Sequence, residues 1–163
     1  MIKDKITVFV PHKIVSEANN RDHWTKKNKR KIALSWAIKA ALSKHDTDFP
    51  LPCIVTLERI GKRLCDADNL AFAFKGVRDF LAKLIIESHE IKNSPPNSAS
   101  VKPMGYHDAD YRIEWRYAQR TQANTFIKNQ PLGFWIIIES NYPVIPENSK
   151  SLDHSTNNKI EQN

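Results

Sequence analysis

Two aspartates one residue apart, Asp66-Ala67-Asp68, stand just ahead of a helical pattern that opens with Asn69 and Leu70. With Asp68 at the N-cap, its carboxylate can accept from the free N–H groups of the helix. Asp66, two residues back on an extended segment, then points to the same side. Like charges so close repel, which raises one pKa or calls for a cation between them. Mg²⁺, or Mn²⁺ in its place, answers that need with hard oxygen coordination. Carboxylate-bound Mg²⁺ can deprotonate water, stabilise charge on phosphorus and help a 3′ oxygen to leave, which is what phosphodiester hydrolysis requires. The same Asp-x-Asp also serves as a helix cap followed by a solvated acid, and the pair alone leaves both roles open. Lys75 follows Asp68 by seven residues, close to two helical turns, and projects on nearly the same face. It can meet a scissile phosphate, or pair with Asp79 at i,i+4 as an ordinary surface lysine.

A second group of residues carries charge of the opposite sign. Residues 1–45 hold eleven Lys/Arg against three Asp/Glu, an excess of eight, while the whole chain has a net charge of +7. The excess is therefore local, and an acidic partner is expected at this region rather than everywhere. Lys26-Lys27-Asn28-Lys29-Arg30-Lys31 leads into Ile32, Trp36 and Ala40, with Leu34, Ile38 and Leu42 on an adjoining stripe, a spacing that predicts an amphipathic helix to about Lys44. Cations at a helix N-terminus oppose the dipole. Contact with phosphate would explain them; a solvated lysine-rich loop ahead of a helix starting near Lys31 would explain them equally.

The elements that must position these residues follow from periodicity. Ile6 to Val10 reads as a strand closed by Pro11, and Cys53 to Ile60 as a second. From Asp68, the apolar positions Leu70, Phe74, Val77, Leu81 and Leu84 recur at helical intervals, and that helix is expected to end near Ile86. A Ser-, Pro- and Asn-rich stretch follows over about Lys92 to Met104. Asp108-Ala109-Asp110 then introduces Tyr111, Ile113, Trp115 and Tyr117 in strict alternation, and Phe134 to Glu139 is a continuous apolar run suited to a central strand. The order β-α-β-α-β-β predicts an α+β domain, a mixed sheet covered by two main helices. One domain is expected over residues 1–141, with a loop insertion at about 91–106 and a disordered tail over 142–163.

Composition excludes several classes. Hydrophobic residues make up 40% of the chain and charged residues 26%, which suits a folded core. The longest purely apolar run, Phe134 to Ile138, is far too short to cross a bilayer, and no signal-peptide pattern follows Met1. A cytoplasmic protein without membrane partners is expected. Cys53 and Cys65 are too few for a zinc framework and read as reduced thiols.

Asp66-Ala67-Asp68-Asn69-Leu70, with Phe74-Lys75-Gly76-Val77-Arg78-Asp79 downstream, resembles the central motif of the RusA family of Holliday junction resolvases, especially its phage and prophage members. Asp108-Ala109-Asp110-Tyr111-Arg112-Ile113-Glu114-Trp115-Arg116-Tyr117 resembles that family's second acidic cluster and the strand after it, and Asn19-Asn20-Arg21 its N-terminal polar motif. The likeness runs loosely over residues 5–140. It implies a RusA-like fold and a homodimeric, Mg²⁺-dependent endodeoxyribonuclease that nicks four-way DNA junctions in recombination and repair. By that resemblance Asp66, Asp68 and Asp108 bind metal and act in catalysis, Asp110 supports them, and Lys75 is the catalytic cation, although some members carry that lysine where this chain has Phe72. DNA would lie on Arg21, Lys26, Lys27, Lys29, Arg30 and Lys31. Glu87 competes for the third metal position when residues are counted forward without a gap. It falls at the far end of an 18-residue helix about 27 Å long, so Asp108, brought back beside Asp66 by the next strand, is the expected ligand.

Two other classes fit parts of the same pattern. A DNA-binding regulator without catalysis needs only the basic helix, with acids that cap and solubilise. A metal-dependent phosphohydrolase of small substrates needs the Asp66/Asp68 pair, but Arg63-Leu64-Cys65 ahead of it is not the strongly hydrophobic strand that aspartyl-phosphate chemistry normally requires.

Overall fold

The computed structural model describes residues 5–15, 21–45, 48–93, 109–125, 127 and 129–142. Residues expected to form the insertion and the tail fall almost wholly outside that set. The chain is α+β, and the described residues form four strands and three α-helices: β1 (Lys5–Val10), α1 (Trp24–Leu42), β2 (Cys53–Gly61), α2 (Ala67–Ala73), α3 (Lys75–Asn93), β3 (Ile113–Thr121) and β4 (Gly133–Ser140). The sheet is mixed, in the order β1-β4-β2-β3. β4 runs antiparallel to β1 and β2, whereas β3 lies parallel to β2, with Cys53 opposite Ile113 and Gly61 opposite Thr121. No helix among the described residues is long and apolar enough to cross a membrane.

Alternation sets the two faces of the sheet. Ile6, Val8, Val10, Val55, Leu57 and Ile136 are buried under the helices. The opposite face carries Phe9 against Trp135, ring centroids 5.0 Å apart, and the Glu58–Arg120 ion pair. Continuous apolar β4 occupies a central place, as its composition requires. Gly133 at its start is needed for packing, because a Cβ there would stand 2.3 Å from the carbonyl oxygen of Val10.

Two expectations about the elements are corrected, for the motif helix and for Tyr111, and the structure chooses between the two stripes of α1. The motif helix is divided at Phe74 into α2 and α3 and runs on to Asn93, so three helical segments stand where two were expected. Phe74 keeps αR angles and both neighbouring turns stay bonded through it, its N–H to Leu70 and its carbonyl from Arg78, so the axis is interrupted without the chain turning away. On α1 the core takes Ile38 and Leu42, while Ile32 (48% exposed) and Trp36 (68%) face outward. Both stripes have helical spacing; Ala37 and Ala41 flank the inner one and let it approach the core. Tyr111, 93% exposed, precedes β3 and lies outside its alternation.

Candidate functional site: a basic groove beside an acidic helix start

Helix α1 begins at Trp24, with the His23 side chain accepting from the Thr25 N–H, so the run Lys26 to Lys31 is helical rather than a loop before a helix. Within Trp24–Leu42 there are six Lys/Arg and no Asp/Glu. Positions 27, 31, 34 and 38 share one stripe, of which Ile38 is buried at the sheet. Nearer the start of the helix Lys27, Arg30, Lys31 and Leu34 form one wall of a groove of about 370 Å³. The segment after β1 supplies His12, Lys13, Ile14 and Val15, and the α2–α3 junction supplies Phe72, Lys75, Gly76 and Asp79. α3 comes in beside α1 at Gly76, where a Cβ would meet the Leu34 Cδ2 methyl at 3.5 Å, an ordinary contact.

The groove is thus lined by five lysines or arginines, a histidine and one carboxylate. That carboxylate, Asp79, pairs with Lys75 at 3.5 Å across one helical turn. Lys75 therefore fills both of its expected positions, as an i,i+4 partner and as a cation facing the cavity. Arg30 is held by Asp22 at 2.7 Å, which fixes its guanidinium at the groove wall. Lys26 and Lys29 are exposed but do not line the groove, and neither does Arg21; Asn19 and Asn20 lie outside the described residues.

The two Asp-Ala-Asp segments occupy different places. Asp66 is the N-cap of α2 with extended angles and makes no side-chain cap bond, and Asp68 lies in the first helical turn. The cap therefore lies two residues earlier than expected, and the pair does not sit on alternate extended positions. Both aspartates are exposed, and among the described residues neither carboxylate has a hydrogen-bond or ion-pair partner. Asp68 and Phe72 are one turn apart on the same face. The acidic helix start thereby adjoins the rim of the groove.

Asp110 is elsewhere. Its two carboxylate oxygens take the Arg112 guanidinium at 2.9 and 2.7 Å, and one also accepts the Arg112 backbone N–H. This hydrogen bonding holds the Arg112 pKa above its ordinary value. Buried Cys53 at the start of β2 feels the same carboxylate: burial first, and the Asp110 charge second, push its thiol up to about 12. The other end of the parallel pair is marked by Cys65, whose N–H and Sγ meet Gln119 Oε1 at 3.0 and 3.3 Å. Six residues of strand separate the level of Ile113 from that of Gln119, roughly 20 Å. Asp110 therefore cannot share an ion with Asp66 and Asp68 in the same chain, and its assignment as a supporting metal carboxylate is withdrawn.

The expectation that the start of β3 returns beside Asp66 fails for the same reason. β3 is parallel to β2, so its end and not its start approaches the segment that follows β2. Glu90 of α3 acts on Arg112, which places the far end of the helix at the Asp110 level. Glu87 pairs with Lys83 at 3.8 Å. Asp108 itself lies outside the described residues. Among the described residues no three of His, Cys, Asp and Glu gather to hold a metal.

Sequence reasoning missed His12, Lys13 and Phe72. The first two were marked by Pro11 closing β1, which puts the next residues at the sheet's end where ligands gather. Phe72 was marked by its departure from the Leu70–Phe74–Val77 stripe: an aromatic residue off the buried face of a helix has to be exposed. No protein-family model, no curated protein and no solved structure matches the chain.

Proposed function

We propose that the chain binds the phosphate backbone of DNA in the α1/α2–α3 groove and nicks it with Mg²⁺ held at Asp66 and Asp68. The observation that carries this reading is a cation-lined groove whose rim residue Phe72 lies one helical turn after Asp68, with the exposed Asp66 at the N-cap of the same helix. Backbone phosphates are the ligands such a surface attracts, because each neutralised phosphate also releases condensed counterions. Mg²⁺ is usually held by one or two carboxylates together with substrate phosphate and water, so a third protein carboxylate is not required. When bound, the ion supplies Lewis-acid activation of water and phosphate. Lys27 and Lys31 hold the strand along α1, and Lys75, oriented by Asp79, offers positive charge where negative charge develops on the reacting phosphate.

The RusA resemblance supports four-way junctions as the substrate and a homodimer as the acting species, since two matched sites on a twofold axis suit two symmetric nicks. A second reading, a DNA-binding protein without catalysis, is favoured by the capture of Asp110 in an ion pair at the far end of the sheet. The deciding experiment incubates the protein with a synthetic four-way junction, a linear duplex and single-stranded DNA, each with and without Mg²⁺. Mg²⁺-dependent nicking of the junction supports the nuclease; salt-dependent binding with no nicking supports the second reading.

A further inference from the structure

The groove walls carry something that phosphate binding does not need. Phe72 lines the groove and is 58% exposed, although its helix has a well-filled buried face in Leu70 and Phe74. Trp24, 69% exposed, lies three residues before Lys27 and seven before Lys31, on the stripe that forms the opposite wall. Its ring is tilted against that of His23, centroids 5.8 Å apart. Two large aromatic side chains left in water beside a row of cations cost hydrophobic free energy unless something covers them.

The geometry points to a base-stacking role: the groove accepts a single, unpaired nucleic-acid strand, whose bases stack on Phe72 and Trp24 while its phosphates run along Lys27 and Lys31. This inference rests on the proposed DNA reading and narrows it to strands with unstacked bases. In a duplex the faces of the bases are already stacked on one another, so exposed rings gain nothing from it. Unpaired bases, by contrast, present a free face to any aromatic ring, and a basic groove with aromatic platforms is the general solution for binding them without sequence preference. A second copy of this chain is a poor occupant, because α1 would meet another α1 with six cations and no carboxylate on each side. Asp79, the carboxylate in the groove, is already neutralised by Lys75.

The test measures equilibrium binding, at one fixed salt concentration and without Mg²⁺, of four probes: labelled oligothymidine, the same strand with its central bases removed, a blunt duplex, and polyglutamate. Phe72→Ala and Trp24→Ala should each weaken oligothymidine binding by about 5- to 150-fold, the range for losing one base–aromatic stack. Both should leave duplex binding within about twofold, and Phe72→Tyr should restore the wild-type affinity. The abasic strand should bind the wild type weakly and be indifferent to both substitutions. Unchanged oligothymidine affinity in the alanine variants, or equal losses on all three DNA probes, would overturn the inference, while duplex binding by the wild type keeps the parent reading standing. Polyglutamate bound as tightly as oligothymidine, with the same dependence on Phe72, would assign the groove to an acidic protein segment and overturn it too. If the wild type binds none of the DNA probes, the DNA reading falls first and this inference with it. Both aromatics are exposed, so the alanine variants should keep the wild-type Tm, which checks that affinity and not folding has changed.

Discussion

The chain writes Asp-Ala-Asp twice, and the two copies live in opposite surroundings. At 66–68 the tripeptide opens a helix: both carboxylates are in water, without protein partners among the described residues, and Asp68 stands one turn before Phe72 of the cationic groove. At 108–110 the described member, Asp110, is clamped by Arg112 at the foot of an edge strand, its side chain only 17% exposed. One acid is available to a ligand and the other is consumed in holding the chain. A tripeptide motif therefore tells which atoms are present, and the partner within hydrogen-bond reach tells what they can do.

The sharpest way to break the comparison is to neutralise each carboxylate in turn. Asp66→Asn and Asp68→Asn should reduce Mg²⁺-dependent nicking to the level seen without Mg²⁺, with Tm and DNA affinity kept, since Asp66 forms no cap bond to lose and asparagine caps a helix as well as aspartate does. Asp110→Asn should do the reverse. It removes a charge-assisted pair from a half-buried site at a cost of about 2 kcal/mol, a Tm drop of roughly 4–8 °C, and leaves nicking per folded molecule within a few fold. Catalytic loss in Asp110→Asn at full stability would mean that the far end of the sheet reaches the reaction.

A smaller effect sharpens the contrast through the two cysteines, one at each end. Cys65, half-buried beside Asp66, should react with a thiol reagent in the native protein, while buried Cys53 beside Asp110 should react only after unfolding. The Cys53 thiol is pushed up to about 12, so in the folded state it keeps its proton where the unfolded chain has lost it. The stability this gives is complete below pH 9 and declines as pH rises from 9 towards 12, by about 1.4 kcal/mol per pH unit. Urea unfolding at pH 8 and pH 10 should show that slope, and Cys53→Ala should lack it. Equal slopes in the two proteins would remove Cys53 from the account of this end.

The smallest effect concerns the cations. Lys27→Ala and Lys31→Ala should each flatten the dependence of log K on log salt by about 0.9 for B-DNA. Lys26→Ala and Lys29→Ala, outside the groove, should change it by far less. Four equal changes would mean that the whole helix surface, and not the groove, meets the backbone.

The strands were legible because alternation and apolar runs need no partner to be recognised: expected limits of 6–10, 53–60 and 134–139 compare with Lys5–Val10, Cys53–Gly61 and Gly133–Ser140. The α+β class followed from their order. The outward face of α1 was not legible, since Ile32–Trp36–Ala40 and Leu34–Ile38–Leu42 share the same period and only contact with the sheet chooses between them. The position of Asp110 was less hidden. A helix of this length between two strands is a crossover, which makes the strands parallel when they pair, and a parallel β3 starts beside the start of β2. Asp110 therefore belongs near Cys53, and the resemblance of the second acidic segment to a metal motif drew attention away from that constraint. The groove depended on the approach of three distant segments, which no local pattern in the sequence records.

The central claim is that Asp66 and Asp68 serve an ion which cuts DNA, and one assay addresses it directly: wild type and Asp68→Asn, each incubated with a labelled four-way junction with and without Mg²⁺. The account predicts nicks only from the wild type with Mg²⁺, and equal junction binding by both proteins. Nicking by Asp68→Asn at the wild-type rate, or none by either protein despite tight binding, would contradict it.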